Sequence, residues 1–497
     1  MLGAILAAIV SGVLYFLGFT GFGYWPLIFV FLVPMFVVVE ERSDLAAFGL
    51  GEIAGTVAMY GGFYWVAHLL QLFAHLSAPL AFLGLTLLCI YNGGTLGLEA
   101  LIYVRMRRQN WHPALCGAVA MTAVEASYPL LFPNYAANAL YRTPLLTQPV
   151  ELFGMAALGV LVGGVNGALA GAWRNRGDRS IALRHGAAAA SLLAGFAIYG
   201  AVRIPMLEEA IEDAPTMKVA LIQANHGAGS GVSRKKQSED HRRMTRRAHR
   251  SHPDLDLVVW PESGYGGAIR REQEDLLYVT GGTPVPVALG VTTVEYPEGE
   301  RRLSYNSAVL TSTSAQRIGL YDKIELLMFG EGLPFEETVP AIREWFPQAA
   351  RFERGRRFEH LVHPSGIRMM PLICYEDLLP ALVRRLWTKA GPADVLLNLT
   401  NDSWYGDSHE PRTHLALATF RSIEARRSMI RSTNTGVSAF IDPLGRIADS
   451  TPQYESATLV GEVAILKSGT SLFMRIGNVL GYAAIAWALF AVFWRRR

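Results

Sequence analysis

The first 205 residues hold seven apolar runs, near 2–20, 23–40, 46–71, 78–104, 113–132, 149–173 and 184–203, separated by short polar loops. Each is close to the roughly 20 residues a helix needs to cross the hydrocarbon core of a bilayer. Nothing else constrains the chain so strongly, because lipid admits only helices and closed barrels. An eighth run, Leu472 to Trp494, leads into Arg495-Arg496-Arg497. With 51% hydrophobic and 18% charged residues and a mean hydropathy of +0.24, an ordinary soluble chain is excluded. The first run lacks a basic start and another run follows closely, so it reads as a span rather than a cleaved signal.

Basic loops set the orientation. With the N-terminus in the cytoplasm, the cytoplasmic loops hold Arg42, then Arg105, Arg107 and Arg108, then Arg174, Arg176, Arg179 and Arg184, and finally the Arg495–Arg497 tail. Arg142 is the exception on the other side. This places the large segment between the seventh and eighth spans outside the cytoplasm. Glu52, Glu99, Glu125 and His68 fall inside expected spans, where ionisable groups are costly; facing a bundle interior explains them without a function.

Composition changes at Pro215. Short apolar runs recur at Val219–Ile222, Leu257–Trp260, Val285–Val291, Ser307–Leu310, Met369–Ile373, Val395–Leu399 and Val437–Ile441. Helical patterns lie between some of them, as at Thr413–Arg427. Buried strands alternating with helices predict an α/β domain over about 215–465. The expected organisation is therefore a membrane domain at 1–205, this domain, and a closing span at 472–494. The basic stretch Ser233–Arg250 reads as a solvated helix face, with anionic lipid as the competing reading and no nucleic acid partner.

Of three cysteines, Cys89 and Cys116 lie in apolar runs. Cys374 stands alone in the polar half, without a disulfide partner or a second soft metal ligand, so it is either inert or catalytic. It ends the strand-like Met369–Ile373. A carboxylate, Glu262, ends another strand in Trp260-Pro261-Glu262, and Lys323 follows a turn in Tyr321-Asp322-Lys323. Together these are the parts of an acyl-transfer site: a base, a cation for the thiolate and oxyanion, and a nucleophile.

These three segments resemble the Glu–Lys–Cys signatures of the nitrilase superfamily, and the whole chain resembles its membrane branch, the bacterial apolipoprotein N-acyltransferases. Phe329-Gly330-Glu331 and the segments Asn401–Asp407 and Arg431–Gly436 extend the match. The resemblance implies an αββα sandwich joined to a multi-span membrane domain in the inner membrane, with the sandwich on the periplasmic face. It implies ping-pong transfer of an acyl chain from a phospholipid, through a Cys374 thioester, to the amino group of a diacylglyceryl-cysteine on a lipoprotein. No metal or organic cofactor is implied. Glu262, Lys323 and Cys374 match the triad; Glu331, Tyr375 and Glu376 match supporting residues; Trp404 and Tyr405 match an aromatic pair of a substrate pocket. Met328 and Gly332 depart from the family pattern beside Glu331, and so does the glycine-rich 226–231 loop. An amidase, an acyltransferase with another amine acceptor, and a non-catalytic ligand-binding protein are the alternative readings.

Overall fold

A computed structural model describes all residues except 74, 228–230, 300, 334–335, 337, 340, 346–349, 468 and 494–497. Most of the glycine-rich loop's centre and the terminal arginines thus lie outside the described residues. Two compact units emerge: Met1–His68, Leu76–Met206 and Ser471–Arg497 form one, and Leu69–His75 with Leu207–Thr470 form the other.

The first unit is helical. Ala78–Arg108, Met155–Arg174 and Arg179–Glu212 are long and apolar enough to cross a membrane, and Asp44–Phe63 with Trp65–Leu72 passes as one span bent by 59°. The other expected runs form shorter apolar helices, Leu2–Gly18, Pro113–Ser127 and Val479–Phe493. The run near 23–40 is split into the 3₁₀ turn Trp25–Phe29 and the helix Val33–Val39, because Pro26 and Pro34 each open a new helical segment. Asp44–Phe63 packs on Ala78–Arg108 with backbones nearly touching: a Cβ on Gly55 would lie 2.4 Å from the Gly93 carbonyl oxygen. Arginines from separate loops meet acidic residues of the 40–44 segment. Arg107 lies 3.0 Å from Glu40, Arg108 2.5 Å from Asp44, and Arg174 3.0 Å from Glu40. Glu99 and Glu125 line a small interior cavity with Tyr15, Asn92 and Asn134.

The second unit contains two sheets. The first has the order β13-β1-β2-β4-β5-β6, with β3 paired to β4. Its strands are β1 (Thr216–Gln223), β2 (Leu257–Val259), β3 (Ala268–Arg270), β4 (Val287–Glu295), β5 (Leu303–Thr311), β6 (Arg317–Asp322) and β13 (Ala457–Ala464). The second has the order β12-β11-β10-β9-β8-β7. Its strands are β7 (Leu361–Val362), β8 (Arg368–Ile373), β9 (Val395–Thr400), β10 (Met429–Thr433), β11 (Ala439–Ile441) and β12 (Ile447–Ser450). Each sheet has a parallel centre, β1-β2-β4 in one and β8-β9-β10 in the other, flanked by antiparallel strands. Parallel strands need crossover helices. Arg234–Ser251 joins β1 to β2, Pro380–Ala390 joins β8 to β9, and Glu410–Ala425 joins β9 to β10. The sheets are tied face to face: Gln223 Oε1 on β1 accepts from Thr433 Oγ1 at 3.1 Å and Ser438 Oγ at 2.7 Å, and Ser432 Oγ on β10 donates to the Val259 carbonyl. The nitrilase-like αββα arrangement expected from the sequence is present. Along Arg234–Ser251, Arg243, Arg246, Arg247 and Arg250 are exposed while Ser238, His241, Thr245 and Ala248 are buried, which is a solvated face on an amphipathic helix.

Candidate active site

Glu262 follows β2, whose three residues are all buried. Trp260 anchors the end of the strand, its indole N–H donating to Thr245 Oγ1 at 2.8 Å. The Pro261 carbonyl then accepts from Gly290 N on β4 at 3.2 Å. No other residue fits at 290, since a Cβ there would lie 2.5 Å from Glu262 Cα. The carboxylate is thus mounted directly on a core strand.

Lys323 follows β6. Its backbone N–H donates to the Asn306 carbonyl of β5 and its carbonyl accepts from Gly355 N, both at 2.8 Å. Its side chain is only 1% exposed, with Nζ 2.6 Å from Glu331 Oε2 and 3.6 Å from Glu262 Oε1. Glu331 arrives on a tight turn. Phe329 takes a left-handed conformation at φ +66°, its N–H donates to the Gly332 carbonyl at 2.8 Å, and the Leu327 N–H donates to Glu331 Oε2 at 2.9 Å. Met328 and Gly332, the departures noted above, form a backbone bridge within this turn. Asn306 Nδ2 donates to Glu262 Oε1 at 2.6 Å and to Glu331 Oε1 at 2.7 Å, holding the two carboxylates around one ammonium.

Cys374 sits just past the end of β8 at φ +49°, in the left-handed region where a residue with a Cβ is strained. Glu262 and Lys323 both act on its thiol, the carboxylate against ionisation and the ammonium for it. Glu376, fully buried, accepts from the backbone N–H groups of Ile373 (2.9 Å), Ile324 (2.7 Å) and Glu325 (3.1 Å) and from the Tyr321 hydroxyl (3.0 Å). One carboxylate therefore joins the cysteine turn to the segment that follows Lys323.

The electrostatics follow from burial and spacing. Burial pushes the Cys374 thiol well up, Glu262 adds to this, and Lys323 opposes it, so the sulfur rests as a thiol. Burial raises the Glu262 carboxyl, with Lys323 pulling it down and Glu331 pushing it up. Burial works against the Lys323 ammonium, but Glu331, Glu262 and Cys374 outweigh it and hold the cation firmly charged. Burial pushes Glu376 up to about 7. A carboxylate that acts on a thiol, beside a fixed cation, can take the proton as the sulfur attacks.

A buried network braces the cysteine turn. Arg431 on β10 donates to Asp377 Oδ2 and Asn398 Oδ1, each at 2.6 Å. His414 bridges Asp377 Oδ1 at 2.8 Å and Asp402 Oδ1 at 2.9 Å. An imidazole between two carboxylates donates from both nitrogens; burial disfavours its charge, yet Asp377 and Asp402 raise it to about 10. Asp402, Glu410 and His414 have the spacing of metal ligands, but with both ring nitrogens engaged His414 offers no lone pair to a cation.

Of the remaining expected residues, Tyr375 is half-buried beside Cys374. Tyr405 is buried in the Asp402–Tyr405 turn, and burial pushes its hydroxyl well up, with Glu410 and Cys374 adding to the shift. Trp404 is 38% exposed. Sequence reasoning gave no role to Asn306, Asp377, Asp402, His414 or Arg431, although Asp402 and Arg431 lie in the matched segments Asn401–Asp407 and Arg431–Gly436. The available signal was Arg431, a charge inside a strand-length run.

Residues 218–467 match the carbon-nitrogen hydrolase family, and residues 11–168 match the apolipoprotein N-acyltransferase N-terminal domain. The chain is 29% identical over 492 residues to the apolipoprotein N-acyltransferase of Geobacter metallireducens, covering 97% of this chain and 93% of that one. It is 27% identical to the Bdellovibrio bacteriovorus protein of the same name, with 90% and 86% covered. Among solved structures, a carbon-nitrogen hydrolase from Helicobacter pylori G27 aligns with a TM-score of 0.37 at 15% identity, over 54% of this chain and 93% of that one.

Proposed function

This chain belongs to the carbon-nitrogen hydrolase family, and on that premise we propose that it is an apolipoprotein N-acyltransferase working by ping-pong transfer through Cys374. The observation that carries the reading is the meeting of three groups: Lys323 Nζ lies 3.6 Å from Glu262 Oε1, and both charges act on the Cys374 thiol. The apolipoprotein N-acyltransferase N-terminal domain and full-length relatives of that name support the choice of a lipoprotein acceptor.

In the first half-reaction Glu262 takes the thiol proton as the sulfur attacks an ester carbonyl of a phospholipid. Lys323 stabilises the oxyanion. The carbon–oxygen bond breaks, Glu262 returns the proton to the departing lysophospholipid, and a thioester remains. In the second half-reaction the α-amino group of a diacylglyceryl-cysteine attacks the thioester, Glu262 accepts its proton, and the amide leaves as the sulfur is reprotonated. A thioester transfers readily to an amine and the amide is stable, so the reaction needs no further energy source. Glu331 orients Lys323, Glu376 holds the cysteine turn to the lysine segment, and Tyr375, Trp404 and Tyr405 line the acyl or headgroup path. The arginine loops gathered around residues 40–44 support a cytoplasmic side for that end of the helices, and hence an inner-membrane protein with a periplasmic catalytic domain.

Full-length protein incubated with phospholipid should form a hydroxylamine-sensitive acyl adduct seen by mass spectrometry, absent in Cys374→Ala. Passage of that acyl group to a synthetic diacylglyceryl peptide completes the case. An adduct that never reaches such a peptide points to another amine acceptor, and no adduct with any donor removes acyl transfer altogether.

A further inference from the structure

A cavity of about 610 Å³ is lined by Ser263, the residue after Glu262, and differs sharply in charge from the triad itself. Four arginines line it, Arg234, Arg301, Arg302 and Arg351, and among the described residues none of the lining is acidic. Arg301 pairs with Glu353, and Arg351 with Glu336. Among the described residues no ion pair engages Arg234 or Arg302. Tyr265 and Phe352 supply apolar wall, and Ser263 and Ser304 supply hydroxyls. Guanidinium forks together with hydroxyls suit an anion, above all a phosphate.

Three backbone links tie this cavity to the reacting groups. Ser263 is the residue after Glu262. Ser304 lies two residues before Asn306 on β5, hence on the same face as the amide that holds Glu262 and Glu331. The Phe352 N–H donates to the Glu331 carbonyl at 3.0 Å. We propose that this cavity holds the phosphate of the acyl donor's headgroup, with Arg234 and Arg302 as its principal ligands. The proposal rests on the acyl-transfer reading above. In a glycerophospholipid the phosphate and the acyl esters are joined through the glycerol, so a phosphate held here leaves an ester to reach toward Cys374. The arginines then choose the donor, while the triad performs the chemistry.

The test compares two donors in detergent micelles with the full-length protein: dipalmitoyl phosphatidylglycerol, and dipalmitoylglycerol, which carries the same esters without phosphate. The readout is the ratio of kcat/KM for adduct formation from the two. Arg234→Gln with Arg302→Gln should lower that ratio at least about tenfold, the scale of losing charge-assisted hydrogen bonds. Arg234→Lys with Arg302→Lys should recover part of it. A ratio unchanged in the glutamine variant, including an equal fall with both donors, overturns the proposal. Inorganic phosphate that inhibits the wild type while the ratio stays unchanged in the variant assigns the cavity to free phosphate and overturns the headgroup. A wild type acylated by neither donor fails differently: it removes the acyl-transfer reading itself.

Discussion

Lys323 Nζ stands 2.6 Å from Glu331 Oε2 but 3.6 Å from Glu262 Oε1, so its tighter partner is Glu331. The division matters chemically. A cation bound closely to Glu262 would weaken it as a base. Held by Glu331 instead, the ammonium stays near enough to favour the thiolate and leaves Glu262 able to accept a proton.

Glu331→Gln should therefore lower the rate of thioester formation by about 10²-fold, a typical share for general-base work. Without Glu331 the ammonium's remaining carboxylate in the site is Glu262. Rapid-quench mass spectrometry of the acyl adduct measures the rate; wild-type kinetics would take Glu331 out of the site.

Asn306→Ala removes the donor shared by Glu262 and Glu331, at 2.6 and 2.7 Å. Two buried carboxylates then lose a common ligand, and Glu262 holds its proton more tightly. Adduct formation should slow and its acid limb should move to higher pH. An unshifted limb would show that Asn306 does not tune the base.

Wild-type adduct formation should itself fall on the acid side at a pH above that of an ordinary glutamate. Burial raises the Glu262 carboxyl above its usual 4.5. The ionised fraction, which takes the thiol proton, is lost as pH falls through that raised value. A pre-steady-state pH profile with its acid limb at or below 4.5 would contradict this.

Gly290→Ala places a methyl 2.5 Å from Glu262 Cα and 2.6 Å from the Pro261 carbonyl oxygen. Backbone on both sides leaves no flexible group to yield. Displacing the base by a fraction of an ångström should cost about 10²-fold in acylation rate. Equal rates for Gly290→Ala and wild type would show that this strand does not position Glu262.

His414 gives a prediction for stability. Its folded value is raised to about 10 from 6.5, so its contribution is complete below 6.5 and is lost as pH rises through about 10. The unfolding midpoint of the full-length protein in detergent should fall across that window, by on the order of a few kcal/mol in free energy. His414→Asn should flatten the slope. An equally steep fall in the variant would place its origin elsewhere.

The strands that carry Glu262 and Cys374 were legible because they are continuous apolar runs, Leu257–Trp260 and Met369–Ile373, the mark of parallel strands covered on both faces. β10 was not. Met429-Ile430-Arg431-Ser432-Thr433 is buried throughout yet mostly polar, because its groups pair with Asp377, Asn398 and Gln223 from distant segments. β6 was invisible for a related reason, being a partly exposed outer strand. In the helical unit, periodicity located the apolar runs but not the proline break at 26–34 that divides the second of them.

Hydropathy and local motif were enough to assign helices to the first 205 residues and an α/β fold to the next 250, and to single out a glutamate, a lysine and a cysteine at segment ends, because those signals are written into neighbouring residues. Only the tertiary structure decided which carboxylate grips Lys323, that Asn306 binds both glutamates, and that Arg431 and His414 brace the cysteine turn. Those choices depend on distances between residues far apart along the chain, and a linear pattern carries no such distances.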